Sequence, residues 1–328
     1  MQPLKPTPKP PLSETFVPID SIGSPALWAG FIAFVTAMLA LDLGLFHKEA
    51  HEVSMKEAAG WSLVWVIFAA IFGGLVAWKF GPERAMEFGA GYLIEKALAV
   101  DNIFVFVLIF AAFAIPTKYQ HRVLFWGVFG ALVMRAIFIF AGAAFLERFH
   151  WAIYVFGAIL IATGFKLLIQ KETTMDPEQN FVIRAMRKLM PVTSTFDGDR
   201  FTTRIDGRTF ATPMLLALVS VEVTDLIFAV DSIPAIFAVT RDPFIVFTSN
   251  IFAILGLRSL YFLLAGVVQK FHYLKVGLSL VLVFVGAKMV AIEWIKVPIW
   301  LSLTTIALIL LGAVFASWLR ERRMTAAR

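Results

Sequence analysis

The chain contains no cysteine. That absence excludes disulfides, thiolate metal sites and any dithiol redox cycle run by the protein's own side chains. Charge is also scarce: Asp, Glu, Lys and Arg make up 16% of 328 residues, where a soluble domain carries about 25%. No nucleophile–base pair and no glycine-rich nucleotide motif is present, so an enzyme is the least expected class. Nucleic-acid binding is not expected either, because the basic residues behind the net charge of +6 are spread over short connections.

What fills the chain instead is apolar sequence, at 59% hydrophobic residues, mean hydropathy +0.81 and 33 phenylalanines. Runs of about 20 apolar residues recur, each able to cross a ~30 Å hydrocarbon core. In lipid the backbone must satisfy its own polar groups, so these runs are helices. The expected fold is an all-α polytopic membrane protein. Nine spans are read at 26–46, 58–80, 88–114, 122–145, 150–170, 212–239, 245–268, 272–292 and 297–318. A Pro-rich tail (1–25) precedes this transmembrane domain of 26–320, and a short basic tail (321–328) follows it. No basic leader with a cleavage site precedes the first span, so that helix is expected to be retained.

The longest connection, 171–211, reads as a basic amphipathic helix at 180–190, followed by a hairpin turning at Asp206-Gly207. One side of the membrane collects Lys48, Lys56, Lys118, Arg122, the bases of that loop, Lys270, Lys275 and the C-terminal arginines. The other holds only Lys5, Lys9, Lys79, Arg84, Arg148, Arg241 and Lys296. The positive-inside rule then puts the N-terminus outside and the C-terminus in the cytoplasm.

Spans 3–5 and 6–8 resemble duplicated three-helix units. Asp101-Asn102-Ile103-Phe104 matches Asp225-Leu226-Ile227-Phe228 at an offset of 124, and Gly164-Phe165-Lys166-Leu167 matches Gly286-Ala287-Lys288-Met289 at 122. Arg135 and Arg258 fall one residue out of register. An odd number of spans per unit inverts the second copy, a design in which transporters place a midplane site at the repeat interface.

Charges inside spans are costly, so they face an interior, a partner or an ion. The acids so placed are Asp42, Glu95, Asp101, Glu222, Asp225 and Asp231; the bases are Lys96, Arg135, Lys166, Arg258 and Lys288. Asn102, Thr224, Ser232, Ser249 and Asn250 add neutral oxygens. Interhelical ion pairs that only hold helices in register are the competing explanation. Carboxylate and amide oxygens are hard ligands that suit Mn²⁺, Mg²⁺ or Ca²⁺. All five histidines lie near span ends, where an interfacial role is expected. Asp225 and Asp231 diverge by about 120° on an ideal helix. They meet one ion only if the helix is broken near Pro234, and Gly89 and Gly91 are candidates for loosening span 3 in the same way.

These motifs carry a resemblance. Glu222 to Phe237 (EVTDLIFAVDSIPAIF), Thr248 to Tyr261 (TSNIFAILGLRSLY), Leu41 to Gly44 and Glu95 to Asn102 resemble the signature of the TerC integral membrane family, over about 26–320 and closest to its alkaline-inducible branch. The resemblance implies an inner-membrane protein of nine spans linked to metal homeostasis. Manganese export is the activity it implies first, beside tellurium resistance and a membrane redox role. The family's acidic positions land on Asp42, Glu95, Asp101, Glu222, Asp225 and Asp231.

The leading expectation is a secondary transporter that exports Mn²⁺ or a similar hard dication, with no tightly bound cofactor and with protons as the exchanging partner. Asp101, Asp225 and Asp231 are expected to touch the ion, with Glu95, Glu222, Asn102 and Asp42 close by. Arg135, Arg258, Lys166, Lys288 and Lys96 are expected to neutralise the empty site. The alternatives are an oxyanion (tellurite) carrier built on the bases, and a membrane assembly or stress-response partner that docks through 180–210 without transport.

Overall fold

A computed structural model describes residues 21–46, 54–149, 151–169, 181–265, 273–295 and 297–326. Eleven helices and one hairpin make up the described residues. Helices α1 (Pro25–Phe46) and α2 (Met55–Phe80) come first, with Ser54 capping α2 through the Glu57 amide. Gly81 joins α2 to α3 (Pro82–Ala112) at φ +92°, a conformation that a Cβ would strain, and Pro82 opens α3 where a missing N–H is harmless. Then follow α4 (Thr117–Arg148), α5 (Ala152–Ile169) and the short basic α6 (Phe181–Leu189).

Strands β1 (Thr202–Ile205) and β2 (Arg208–Ala211) pair antiparallel, with Ile205 opposite Arg208. The turn residues Asp206 and Gly207 both have positive φ, as a two-residue hairpin turn of this hand needs. The hairpin region is fastened to the start of α4. Arg122 pairs with Asp199 and lies over the Phe201 ring at 5.4 Å.

The remaining helices are α7 (Pro213–Phe237), α8 (Pro243–Leu255), α9 (Leu257–Leu264), α10 (Leu274–Val290) and α11 (Ile299–Ala326). Each expected span falls on a helix, the seventh on the pair α8–α9. By length and apolarity alone five helices among the described residues can cross a membrane, or six with the bent pair counted as one. Three expected spans fall short: α3 carries Glu95, Lys96 and Asp101 in its middle, α10 has 17 residues, and α1 counts over Pro25–Leu41 as a shorter apolar helix. The protein is a helical, multi-pass membrane protein. Large apolar side chains such as Trp78, Ile137 and Leu311 face outward, as lipid contact requires.

Two expectations about helix breaks are corrected. Helix α7 runs unbroken through Asp225 and Asp231. Pro234 lies in its last turn, so the hydrogen bond it deletes is one near the helix end. Helix α3 is also continuous through Gly89 and Gly91; Gly91 serves packing, since a Cβ there would lie 2.7 Å from Ser249 Oγ. The break falls instead in the seventh span, where Gly256 ends α8 and α9 departs at 42°.

The core is built on α3, α4, α7 and α8, with Phe31, Phe72, Phe88, Phe244 and Phe252 interlocked along α1, α2, α3 and α8. A second core joins α3, α5 and α10. Helices α5 and α10 approach to backbone contact. A Cβ on Gly157 would lie 2.9 Å from the Gly286 carbonyl, and one on Gly164 would lie 2.9 Å from that of Ser279.

Candidate functional site: a buried guanidinium between two carboxylates

Four helices deliver one polar cluster into the apolar interior. Helix α4 supplies Arg135, α3 supplies Glu95 and Asn102, α7 supplies Asp225 and Ser232, and α8 supplies Asn250. Glu95 and Asn102 share a face because seven residues are close to two turns. Every member is almost completely withdrawn from the surface: Arg135 is 1% exposed, Glu95 0% and Asp225 3%. Ions at that depth persist only when paired and hydrogen-bonded.

The guanidinium is satisfied on all three nitrogens. Its Nε donates to Asp225 Oδ2 at 3.2 Å and its Nη2 to Asp225 Oδ1 at 3.0 Å, a two-pronged fork. Its Nη1 donates to Glu95 Oε1, to Asn250 Oδ1 at 3.3 Å and to Ser232 Oγ at 3.4 Å. The amides close the ring: Asn102 Nδ2 donates to Asp225 Oδ1 at 3.3 Å, and Asn250 Nδ2 to Glu95 Oε2 at 3.2 Å. With both acids ionised the cluster carries one negative charge in excess. One acceptor is left over. Asn102 Oδ1 is buried and meets no hydrogen-bond donor among the described residues.

The other candidate residues are placed differently. Asp42, Asp101 and Asp231 fall in α1, α3 and α7, and their side chains lie outside the described residues. Glu222 is half-buried between α7 and α4. Lys96 donates to the Ala253 carbonyl at 2.9 Å, in the last turn of α8 before the Gly256 break. Arg258 is buried at the start of α9, where it lines a small cleft with Trp65 and Phe125. Lys166 is exposed on α5, and Lys288 is half-buried on α10 within electrostatic reach of Glu87. Among the described residues Arg135 is therefore the base whose contacts join Glu95 to Asp225. No group of three or more His, Asp or Glu gathers there in a metal-holding arrangement.

A second polar network was not anticipated. At the end of the helices away from the hairpin, Glu87 takes bonds from Arg84 (3.0 Å) and Thr240 (2.7 Å). Asp242 caps α8 through the Phe244 and Ile245 amides, and also receives the Ser21 hydroxyl and the Ile22 amide, each at 2.8 Å. The dipeptide Asp242-Pro243 is a legible helix-start signal; its tie to residues 21–22 has no local trace.

Fold and site together define a multi-pass helical membrane protein with an ionic cluster locked among its central helices. The chain belongs to the TerC integral membrane protein family, whose model matches residues 80–325, from the α2–α3 joint to the end of α11. It is 61% identical over 309 residues to "Uncharacterized membrane protein STKORF319" of Myxococcus xanthus, covering 94% of this chain and 96% of that one. It is 45% identical over 315 residues to "Putative membrane-bound redox modulator Alx" of Salmonella typhi, covering 93% and 98%. A membrane protein of Rickettsia felis is 42% identical over 294 residues, covering 90% and 98%. No solved structure matches the chain.

Proposed function

We propose that this protein is a secondary transporter of the inner membrane that exports Mn²⁺ or a similar hard dication in exchange for protons. The observation that carries the reading is Asn102 Oδ1 beside Asp225, which no donor among the described residues reaches, in a buried cluster with net negative charge. A buried acceptor without a donor is unfavourable in a resting fold. It is accounted for if a cation comes to it. Carboxylate and amide oxygens are the hard donors that such dications select. Arg135 then acts as a tethered cation that holds Glu95 and Asp225 together while substrate is away. A carboxylate can hold a proton or a metal but not both, so protons are the natural counter-substrate. Chemistry on the substrate plays no part in this reading.

The same reading takes nine crossing helices, with the N-terminus outside and the hairpin and C-terminus in the cytoplasm. The distribution of Lys and Arg supports that orientation. The α5–α10 seam supports the inverted repeat. At the offset of 122, Gly157 corresponds to Ser279 and Gly164 to Gly286. In the fold Gly157 meets Gly286 and Gly164 meets Ser279. This crosswise pairing is what a two-fold relation between equivalent helices produces.

The oxyanion alternative is weakened by the saturation of Arg135, whose donors are all committed to acids and amides. The redox role in the name of the Alx relatives would need an external electron carrier here, because the chain has no cysteine.

The test is radiolabelled Mn²⁺ accumulation in cells stripped of their own exporters. Cells with the intact chain should hold less manganese than vector controls, and Asp225→Asn should abolish the difference while still inserting. Equal accumulation with and without the intact chain would overturn the reading. Normal efflux by Asp225→Asn at normal abundance would remove Asp225 from the mechanism.

A further inference from the structure

Helices α4 and α7 lie against one another in parallel, and glycines on α4 set how closely. A Cβ on Gly127 would lie 3.0 Å from Val221, and one on Gly142 would lie 3.1 Å from the Phe237 ring. Between them Gly130 faces something other than an apolar side chain. A Cβ there would overlap Oε1 and Cδ of Glu222 and lie 2.6 Å from its Oε2. The carboxylate of Glu222 thus rests in the notch that the missing side chain leaves. Among the described residues none donates a hydrogen bond to it, and Asp225 is the charged group that acts on it.

Its position along the bundle is informative. Helix α7 starts at the hairpin, and Glu222 comes three residues before Asp225, or about 4.5 Å nearer the hairpin along the axis. Gly130 is likewise on the hairpin side of Arg135 in α4. An acid that served only to pair helices would be expected to have a partner charge at this depth. Glu222 has instead a half-open carboxylate, a backbone seat, and the buried cluster one turn further in.

We propose that Gly130 is a seat that aims the Glu222 carboxylate, making Glu222 an outlying ligand that passes a hard dication between the hairpin end of the bundle and the Asp225–Arg135–Glu95 cluster. This rests on the dication reading above and adds a route and a positioning residue to it. The overlap involves the free end of a flexible side chain, so alanine at position 130 displaces the carboxylate and does not force the helices apart.

The experiment is a Mn²⁺ binding titration of the full chain in lipid nanodiscs, with free Mn²⁺ followed by its electron paramagnetic resonance signal. Gly130→Ala should weaken binding about tenfold, the low end of what losing a supporting group costs a metal site, with an unchanged melting temperature. Glu222→Asp draws the carboxylate back from position 130, so adding Gly130→Ala to it should cost nothing further. Losses that multiply in the double variant, or wild-type affinity in Gly130→Ala, would overturn the seat while leaving the dication reading standing. If Gly130→Ala fails to assemble, Glu222→Gln carries the test: a similar weakening supports the relay, and unchanged affinity overturns it. A wild type that binds no Mn²⁺ removes the dication reading, and this inference with it.

Discussion

Replacing Arg135 by methionine separates an ion-binding cluster from one that merely pins helices. Methionine keeps most of the volume and removes the charge. Three bonds to carboxylate oxygens are lost, two to Asp225 and one to Glu95, together with those to Ser232 and Asn250. What remains is a pair of acids at 0% and 3% exposure with no cation bonded to either among the described residues. Breaking a buried pair from one side costs about 3–5 kcal/mol. Arg135→Met should therefore be less stable by that amount in detergent unfolding. The deficit has two predicted cures. Neutralising the acids as well, in Glu95→Gln/Asp225→Asn/Arg135→Met, should recover most of it, since a buried ionic group replaced by neutral groups of similar shape is near neutral in energy. Mn²⁺ should also recover it, returning about 2.7 kcal/mol at a hundred times its dissociation constant. An Arg135→Met protein as stable as wild type would refute the argument that the cluster needs a resident cation. One restored by neutralisation but indifferent to Mn²⁺ and Ca²⁺ would leave a structural ion pair in place of a substrate site.

Two further predictions concern the frame. Gly157→Val or Gly286→Val should destabilise the protein by about 1–3 kcal/mol through overpacking of the α5–α10 seam; Gly312→Val, at a position with nothing within 4 Å, is the control and should leave the melting temperature unchanged. Asp242→Ala removes the α8 cap at about 1 kcal/mol and frees Ser21 and Ile22. Hydrogen exchange at residues 21–28 should rise, and unchanged protection there would show that Asp242 does not hold that segment.

The helices were legible because lipid imposes a simple rule: an apolar run of sufficient length has one fold open to it. The hairpin was legible because Asp206-Gly207 can occupy positive φ at both positions. The break was misread for an equally physical reason. Proline is the loudest helix-breaker in sequence, but Pro234 stands in a last turn where there is little left to break. Gly256 carries only a glycine's weak signal and ends α8 in the middle of the seventh span. Partner choice was the least legible part. Five bases lie within predicted spans, and which of them meets an acid depends on the rotation of each helix about its axis. Lys166 on α5 turns outward, Lys96 turns to a backbone carbonyl, and the rotation of α4 brings a long, forked side chain between α3 and α7.

The one-residue slip between Arg135 and Arg258 in the proposed repeat sets the two arginines in different local frames. Arg135 lies within an uninterrupted α4, where its backbone is spent on the helix and its side chain is committed to Asp225 and Glu95. Its counterpart Arg258 stands two residues after Gly256, in the first turn of α9, where the chain has just changed direction by 42°. On the repeat reading, the matched arginines are carried by a straight helix in one unit and a bent pair in the other. The bend also ends α8 early, so that its last turn offers the Ala253 carbonyl to Lys96. Arg135 is locked between carboxylates, and Arg258 stands beside the joint at Gly256. If the proposed transporter works by alternating access, the straight helix suits the fixed site and the joint at Gly256 suits the element that moves.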